Sequence, residues 1–208
     1  MGFPTGDLLD RGDHKMKIEI QEIPASRLGE YAAIPIRFQV RSKYQVEQFM
    51  EGVGGLLMRE VKVVPPYAKD YDAGETPRDW PEKFDVANWG IFLAKEDGRN
   101  VGAAAVALNT PEVNLLEGRQ DLAVLWDIRV RPDVRGTGIG TALFRHAAAW
   151  ARSQGCRQMK IETQNVNVPA CRFYIRMGCE LGMVHRFGYA AIPAVEDEAM
   201  LFWYLKLD

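Results

Sequence analysis

Three glycines at alternate positions, Gly136, Gly138 and Gly140, constrain this chain more than any other feature. They separate the apolar run LAVLWDIRV (122–130) from a segment with helical apolar spacing that begins near Ile139. Glycine leaves the backbone accessible, and the first turn of a helix carries N–H groups without partners and a dipole that favours negative charge. The strand, loop and helix therefore predict an anion-binding site.

Two nucleotide-binding interpretations of this loop are disfavoured. A phosphate-binding loop of the nucleoside triphosphatases requires Lys and then Ser or Thr after its last glycine, whereas Thr141 and Ala142 follow Gly140. A dinucleotide-binding fold requires a glycine where Thr141 stands, although Glu162 lies where that fold places its ribose-binding acid. Only 46 residues follow Glu162, which is too few for a second nucleotide-binding half and a substrate domain.

The segment RGTGIG (135–140) matches the R/Q-x-x-G-x-G/A signature of the GNAT acetyltransferases. A second GNAT motif, N-x-x-A-x-x-x-Y-x-x-x-G-F, is matched by Asn167, Ala170, Tyr174 and Gly178, with Cys179 replacing the usual aromatic residue. The chain therefore resembles this family, which implies a GNAT fold of the α/β (α+β) class, acetyl-CoA as cofactor and N-acetyltransferase activity. The cofactor-binding residues that the resemblance implies are Ile128, Arg129, Val130, Arg135, Gly136, Thr137, Gly138, Ile139, Gly140, Thr141, Asn167, Ala170 and Tyr174.

Three further segments are similar to streptothricin acetyltransferases within this family: PPYAKDY (65–71), IETQNVNVPAC (161–171) and YAAIPAVEDEAMLFWY (189–204). The resemblance implies transfer of an acetyl group to a primary amine of a small cationic antibiotic that bears β-lysine. Two alternatives remain open, a protein or peptide N-acetyltransferase and a non-catalytic acyl-CoA-binding module.

An amine acceptor requires a base, because a lysine-like ammonium with a pKa of about 10.4 is almost fully protonated at neutral pH. Asp127, Glu162 and Glu198 are the candidates, and Glu162 is preferred as a water-mediated base or ammonium anchor. Many GNAT enzymes have a glutamate where Trp126 stands here, and strand alternation points Asp127 to the opposite face unless a β-bulge intervenes. By resemblance, Tyr174 lies near the thioester sulfur as the acid. The predicted catalytic residues are thus Tyr174, Glu162 and Asp127.

An acidic cluster over residues 67–75 predicts where a cationic acceptor binds. Asp70, Asp72 and Glu75 lie around Tyr67 and Tyr71, and their charge would attract a polycation unless it is simply solvated. The predicted substrate-binding residues are Tyr67, Asp70, Tyr71, Glu162 and Glu198.

Apolar periodicity predicts a mixed β-sheet of about seven strands flanked by helices, in one domain over residues 15–208 that follows a disordered tail over 1–14. Two helices are expected between Ser26 and Met58, and an exposed, proline-rich segment over 59–88. The remaining predicted elements are strands near 16–20, 122–130, 156–163, 183–192 and 198–207, a hairpin over 89–108, a helix from Ile139 to Gly155 and a short helix over 169–177.

Composition excludes several partners. The formal net charge of −2 provides no basic field for nucleic acid or an anionic membrane, and no long apolar run or signal peptide is present. Three scattered histidines and three cysteines without close pairing predict no metal site and no disulfide framework. We expect a cytoplasmic protein, with a homodimer as one option.

Overall fold

The computed structural model describes residues 18–207. The tail predicted over 1–14 lies outside these residues. The helices are α1 (Leu28–Ala32), α2 (Trp80–Lys83), α3 (Ile139–Ser153) and α4 (Val168–Arg176). The strands are β1 (Glu19–Glu22), β2 (Phe38–Gln48), β3 (Leu56–Lys69), β4 (Gly90–Glu96), β5 (Arg99–Ala107), β6 (Leu122–Val130), β7 (Gln158–Gln164), β8 (Glu180–His185) and β9 (Met200–Lys206).

Seven of these strands form one mixed sheet in the order β1-β4-β5-β6-β7-β9-β8, and β2 and β3 form a separate hairpin. Neighbours in the sheet are antiparallel except β6 and β7, which are parallel because α3 connects them as a crossover. The predicted fold class, a mixed seven-stranded α/β sheet with flanking helices, is confirmed.

The two faces of the sheet bury separate cores because side chains alternate along the strands. Phe92 packs on the face covered by α3 and α4, together with Leu143 and Trp203. Its neighbour Ile91 packs on the opposite face, with Tyr31 of α1 and Trp80 of α2. The central strands are thereby buried on both sides, which fixes their position beneath the loops at the strand ends.

The parallel strands β6 and β7 separate towards their carboxyl ends. Their pairing covers only Leu122–Leu125 of β6 and ends where Leu125 meets Ile161, although both strands continue beyond this point. A β-bulge lies at the point of separation, since Ala105 of β5 pairs with Asp127 and Val106 pairs with Leu125, which leaves Trp126 as the extra residue. A cleft therefore opens in the middle of the sheet.

The second helix predicted between Ser26 and Met58 is wrong. Helix α1 lies in the first half of that region, but the second half forms β2, the turn and the start of β3. The helical spacing of Tyr44, Phe49 and Val53 is incidental, because this hairpin is largely exposed and its side chains are not sorted by burial in a core. Gly52 and Gly55 have φ values of +97° and +104° and form the turn.

Two other predictions are wrong in part. The segment 59–88 contains most of β3 and is largely exposed, but Pro77 and Trp80 within it are buried. Of the strand predicted at 183–192, only Met183–His185 is extended, and turns follow as far as Asp197. The strand predicted near 16–20 begins outside the described residues, and β1 covers Glu19–Glu22. The other predicted strands, the hairpin over 89–108 and the helices α3 and α4 are present.

Candidate active site

The glycine loop exposes backbone at the amino end of α3. Gly136 and Gly138 have φ values of +87° and +98°, and a Cβ atom built at either position would have no neighbour within 4 Å. The N–H of Ala142 is the first to bond within the helix, to the carbonyl of Gly138 at 3.0 Å. The preceding N–H groups of Ile139, Gly140 and Thr141 thus have no partner in the helix, and Gly140 and Thr141 line the cleft.

Other loop side chains stabilise this conformation. Arg135 donates from Nε to the carbonyl of Val130 at 3.0 Å and from Nη2 to that of Arg37 at 3.0 Å, and it lines the cleft. Thr137 donates its hydroxyl to the carbonyl of Val134 at 2.9 Å. Ile139 is buried in the core, so only its backbone is available to a ligand.

The separated part of β6 presents a second set of backbone groups to the cleft. Arg131 N–H donates to the carbonyl of Val101 on β5 at 2.9 Å. Because residues in an antiparallel pair alternate in the direction of their hydrogen bonds, the N–H groups of Ile128 and Val130 point away from β5 and into the cleft. These two amides belong to the predicted cofactor-binding set.

The side chain of Arg129 is only 1% exposed and is enclosed by acidic partners. It binds Asp127 at 2.7 Å and Asp72 at 2.8 Å, and it donates to the carbonyl of Ile34 at 3.1 Å. Tyr31 donates to Asp127 at 2.7 Å. The bulge shifts the strand phase, so that Asp127 and Trp126 contact the same core, and the Asp127 carboxylate is occupied by Arg129 and Tyr31.

Tyr174 lies on α4 and lines the cleft. Its side chain packs between Phe173 and Trp203, and among the described residues its hydroxyl has no hydrogen-bond partner. Burial raises the pKa of Tyr174 well above its ordinary value, with smaller contributions from Tyr71 and Asp127. The phenol therefore remains protonated and able to donate.

Glu162 lies on the part of β7 that extends beyond the β6 pairing and lines the same cleft. The hydroxyl of Tyr189, from the loop between β8 and β9, donates to its Oε1. Burial raises the pKa of Glu162 and the negative charge of Glu198 raises it further, whereas the hydrogen bond from Tyr189 lowers it. Glu162 is thus a carboxylate that gains a proton more readily than an exposed one.

Asn167 and Tyr71 connect α4 to the segment that follows β3. Asn167 caps α4, since its Oδ1 accepts from the N–H of Ala170 at 3.2 Å, and its Nδ2 donates to the hydroxyl of Tyr71 at 3.3 Å. Tyr71 also packs against Phe38 and lines the cleft, and burial raises its pKa. These residues form one wall of the cleft.

Three predicted substrate-binding residues lie outside the lining of the cleft. Glu198 forms an ion pair with Lys69 at 2.5 Å, in which both side chains are 12% exposed. Tyr67 is exposed, and Asp70 is exposed and accepts a hydrogen bond from the N–H of Asp72.

The acidic cluster is largely neutralised within the protein. Asp72 binds Arg129, Glu75 binds Lys83 and Asp70 caps a short turn. Little of its charge is left to attract a cation from solution.

The cleft has a volume of about 990 Å³ and brings together both predicted motifs. Sequence reasoning missed Gln164, Thr163, Phe173 and Tyr189, which also line it. Gln164 could have been found by strand alternation from Glu162, since residues two apart on a strand share a face. Tyr189 had no such signal, because its contact with Glu162 depends on the path of the loop before β9.

The family model for the GNAT acetyltransferases matches residues 56–179, and the chain belongs to this family. The predicted enzyme class, an N-acetyltransferase, and acetyl-CoA as its cosubstrate are confirmed by this membership. Over residues 18–207, no helix is long and apolar enough to cross a membrane.

Among named relatives, the chain is similar to the streptothricin acetyltransferase of Escherichia coli, with 33% identity over 68% of this chain and 71% of the relative. It is also similar to the streptothricin acetyltransferase of Streptomyces lavendulae, with 36% identity over 60% of this chain and 62% of the relative. These matches confirm the resemblance that the sequence motifs indicated.

Solved structures agree with this assignment. The crystal structure of nourseothricin acetyltransferase superimposes with a TM-score of 0.72 and 25% identity over 92% of this chain and 99% of that protein. A Bacillus anthracis protein described as a streptothricin acetyltransferase, in complex with acetyl coenzyme A, gives a TM-score of 0.71 and 26% identity over 93% and 99% of the two chains.

Proposed function

We propose that the protein transfers an acetyl group from acetyl-CoA to a primary amine of a small cationic acceptor of the streptothricin type. The observation that carries this proposal is that one cleft holds the free amides of the glycine loop, a buried carboxylate, Glu162, and a buried phenol, Tyr174. The similarity to streptothricin acetyltransferases supports the class of acceptor.

The described residues fit the cofactor. The N–H groups at the start of α3 and the open space around Gly136 and Gly138 suit a pyrophosphate. The amides of Ile128 and Val130 suit the amide-bearing arm of the cofactor, because strand edges pair with extended polar chains. The proposed cofactor contacts also include four other predicted residues, Arg135, Thr137, Asn167 and Ala170.

Glu162 acts as the base, directly or through a water molecule. An acceptor ammonium must lose a proton before its nitrogen can attack, and a carboxylate with a raised pKa holds that proton better than an exposed one. Asp127 has less support for this role because Arg129 and Tyr31 already bind its carboxylate.

Tyr174 acts as the acid. Bound acetyl-CoA supplies a thioester, whose C–S bond breaks as the acceptor nitrogen bonds to the acetyl carbon and releases the CoA thiolate. A protonated phenol in the cleft can donate a hydrogen bond to that thiolate as its charge develops. Because a thiol with a pKa of about 8.5 is a stronger acid than the phenol, the phenol completes transfer of its proton only as it receives the one that the acceptor nitrogen loses. No covalent enzyme intermediate is needed, and among the described residues the three cysteines are buried, two of them, Cys171 and Cys179, with pKa values raised to about 12.

The acceptor enters beside Glu162 and Tyr71. Glu162 is the cleft carboxylate without a cationic partner among the described residues, so a cation is drawn to it. Tyr67, Asp70 and Glu198 are proposed to contact the more distant parts of a large acceptor at the rim, where Tyr67 and Asp70 are exposed.

Streptothricin-dependent release of CoA thiol tests the proposal. The wild-type protein should release thiol with streptothricin, and Tyr174→Phe should lower kcat by roughly 100-fold or more, the contribution of a general acid. Thermal unfolding should be nearly unchanged, because the hydroxyl of Tyr174 has no partner to lose among the described residues. Thiol release with peptide amino termini but not with streptothricin would instead favour the protein-modifying alternative.

A further inference from the structure

Gln164, the last residue of β7, has a side-chain oxygen atom whose hydrogen bonding is not satisfied. Its Oε1 is buried and has no hydrogen-bond partner among the described residues, although Gln164 lines the cleft. A buried acceptor without a partner costs about 1–3 kcal/mol, so such atoms are few in native proteins and point to a missing donor.

The position of Gln164 places this acceptor beside the proposed base. Glu162 and Gln164 are two residues apart on β7, so their side chains project from the same face of the strand. Tyr189 lies in the same part of the cleft, where its hydroxyl donates to Glu162. Because the hydroxyl hydrogen of Tyr189 is directed to Glu162, it does not reach Gln164 Oε1, which is left for another donor.

The backbone around Gln164 is firmly held. The next residue, Asn165, is buried, donates from Nδ2 to the carbonyl of Tyr44 at 2.8 Å and accepts from the N–H of Ala199 at 2.9 Å. Gln164 itself pairs with Met200 of β9. Its side chain is therefore attached to a rigid strand end, where a specificity contact is more precise than on a loop.

We propose that Gln164 Oε1 accepts a hydrogen bond from the acceptor nitrogen and, with Glu162, selects a primary amine; this inference rests on the proposed function. A primary ammonium has three N–H groups, of which two protons leave during acetylation and one remains in the amide. Glu162 accepts the first proton before the nitrogen attacks. The second proton leaves after the C–N bond has formed and, by way of Tyr174, ends on the CoA thiol, while Gln164 binds the hydrogen that stays. The nitrogen lone pair is thereby oriented away from both groups and towards the acetyl carbon.

Gln164→Leu tests this assignment, since leucine has a similar size and no acceptor. The kcat/KM for streptothricin should fall roughly 10- to 100-fold, the range that a hydrogen bond to a charged group represents. The KM for acetyl-CoA should stay unchanged. The matched control is Gln158→Leu at the other end of β7, where Gln158 accepts from Arg119 at 3.1 Å and does not line the cleft; it should leave both constants unchanged.

Gln164→Glu distinguishes a role of Gln164 in binding the acceptor from a purely structural role. It also provides the test if Gln164→Leu does not fold. It keeps an acceptor oxygen but adds a negative charge beside Glu162, so the pKa of Glu162 should rise. The acidic limb of the kcat/KM profile should move to higher pH, with activity recovering above it.

Wild-type kinetics with streptothricin in Gln164→Leu, or equal losses for streptothricin and acetyl-CoA, would overturn the assignment. A wild-type protein that releases no thiol with streptothricin would instead refute the proposed function, and this inference with it.

Discussion

At the scale of single residues, the chemistry depends on the protonation of Glu162. Burial and the nearby charge of Glu198 raise its pKa, and the hydrogen bond from Tyr189 opposes them. A base works in its deprotonated form, so the acidic limb of the kcat/KM profile should lie above the ordinary carboxyl pKa of about 4.3.

Two substitutions should move this limb in opposite directions. Tyr189→Phe removes the hydrogen bond that lowers the pKa of Glu162, so the limb moves to higher pH. Glu198→Gln removes a negative charge and frees Lys69, so the limb moves to lower pH. The pH dependence of streptothricin acetylation measures both shifts, with Glu60→Gln on the exposed hairpin as the control. Shifts of the same sign would contradict Glu162 as the base.

At the scale of elements, the amino end of α3 is expected to bind the cofactor. Gly138→Glu places a carboxylate where the pyrophosphate is expected to bind. The carboxylate repels the pyrophosphate and occupies its place at the amino end of the helix, so the KM for acetyl-CoA should rise at least about tenfold. The control is Gly155→Glu at the opposite end of α3, where φ is +86° against +98° at Gly138 and a Cβ atom also meets no neighbour.

Backbone strain is therefore similar in the two variants, and only proximity to the cleft differs. Initial rates at varied acetyl-CoA measure the effect. An equal rise of KM in both variants would mean that strain rather than anion binding is responsible.

Arg129 and its partners join three elements of the fold. Asp127 lies on β6 and Asp72 in the segment after β3, and both form ion pairs with Arg129. Tyr31 of α1 donates to Asp127, and its ring lies beside the guanidinium. Arg129→Met leaves the buried carboxylate of Asp127 without its cation, so the free energy of unfolding should fall by about 3–5 kcal/mol. Urea denaturation measures this change.

The control is Arg172→Met on α4. Arg172 is 56% exposed where it pairs with Glu60, so its loss should cost no more than about 1 kcal/mol. Equal losses in the two variants would show that the buried network does not stabilise the fold.

At the scale of the whole molecule, the elements that could be predicted from the sequence are those whose side chains are buried in the core. The strands β4 to β6 are largely buried on both faces and appear in the sequence as continuous apolar runs, and α3 has a clear apolar face with helical spacing. The glycine loop and the Asn167–Tyr174 helix follow from local geometry and occur where expected. The exposed hairpin β2–β3 did not follow, because no core imposed a period on it.

The contacts that define the site are largely tertiary and explain what sequence reasoning missed. Tyr189 meets Glu162 only because the chain returns between β8 and β9, and Arg129 meets Asp72 across 57 positions of sequence. The bulge at Trp126 also depends on the pairing of β5 with β6. No local pattern encodes these three features.

The identity of the product tests the central claim most directly. Wild-type protein incubated with acetyl-CoA and streptothricin should yield streptothricin that carries one acetyl group on an amine, as measured by mass spectrometry with fragmentation, and Tyr174→Phe should yield far less of it in the same time. Streptothricin that stays unmodified after an incubation long enough for complete turnover, or an acetyl group on oxygen, would contradict the account.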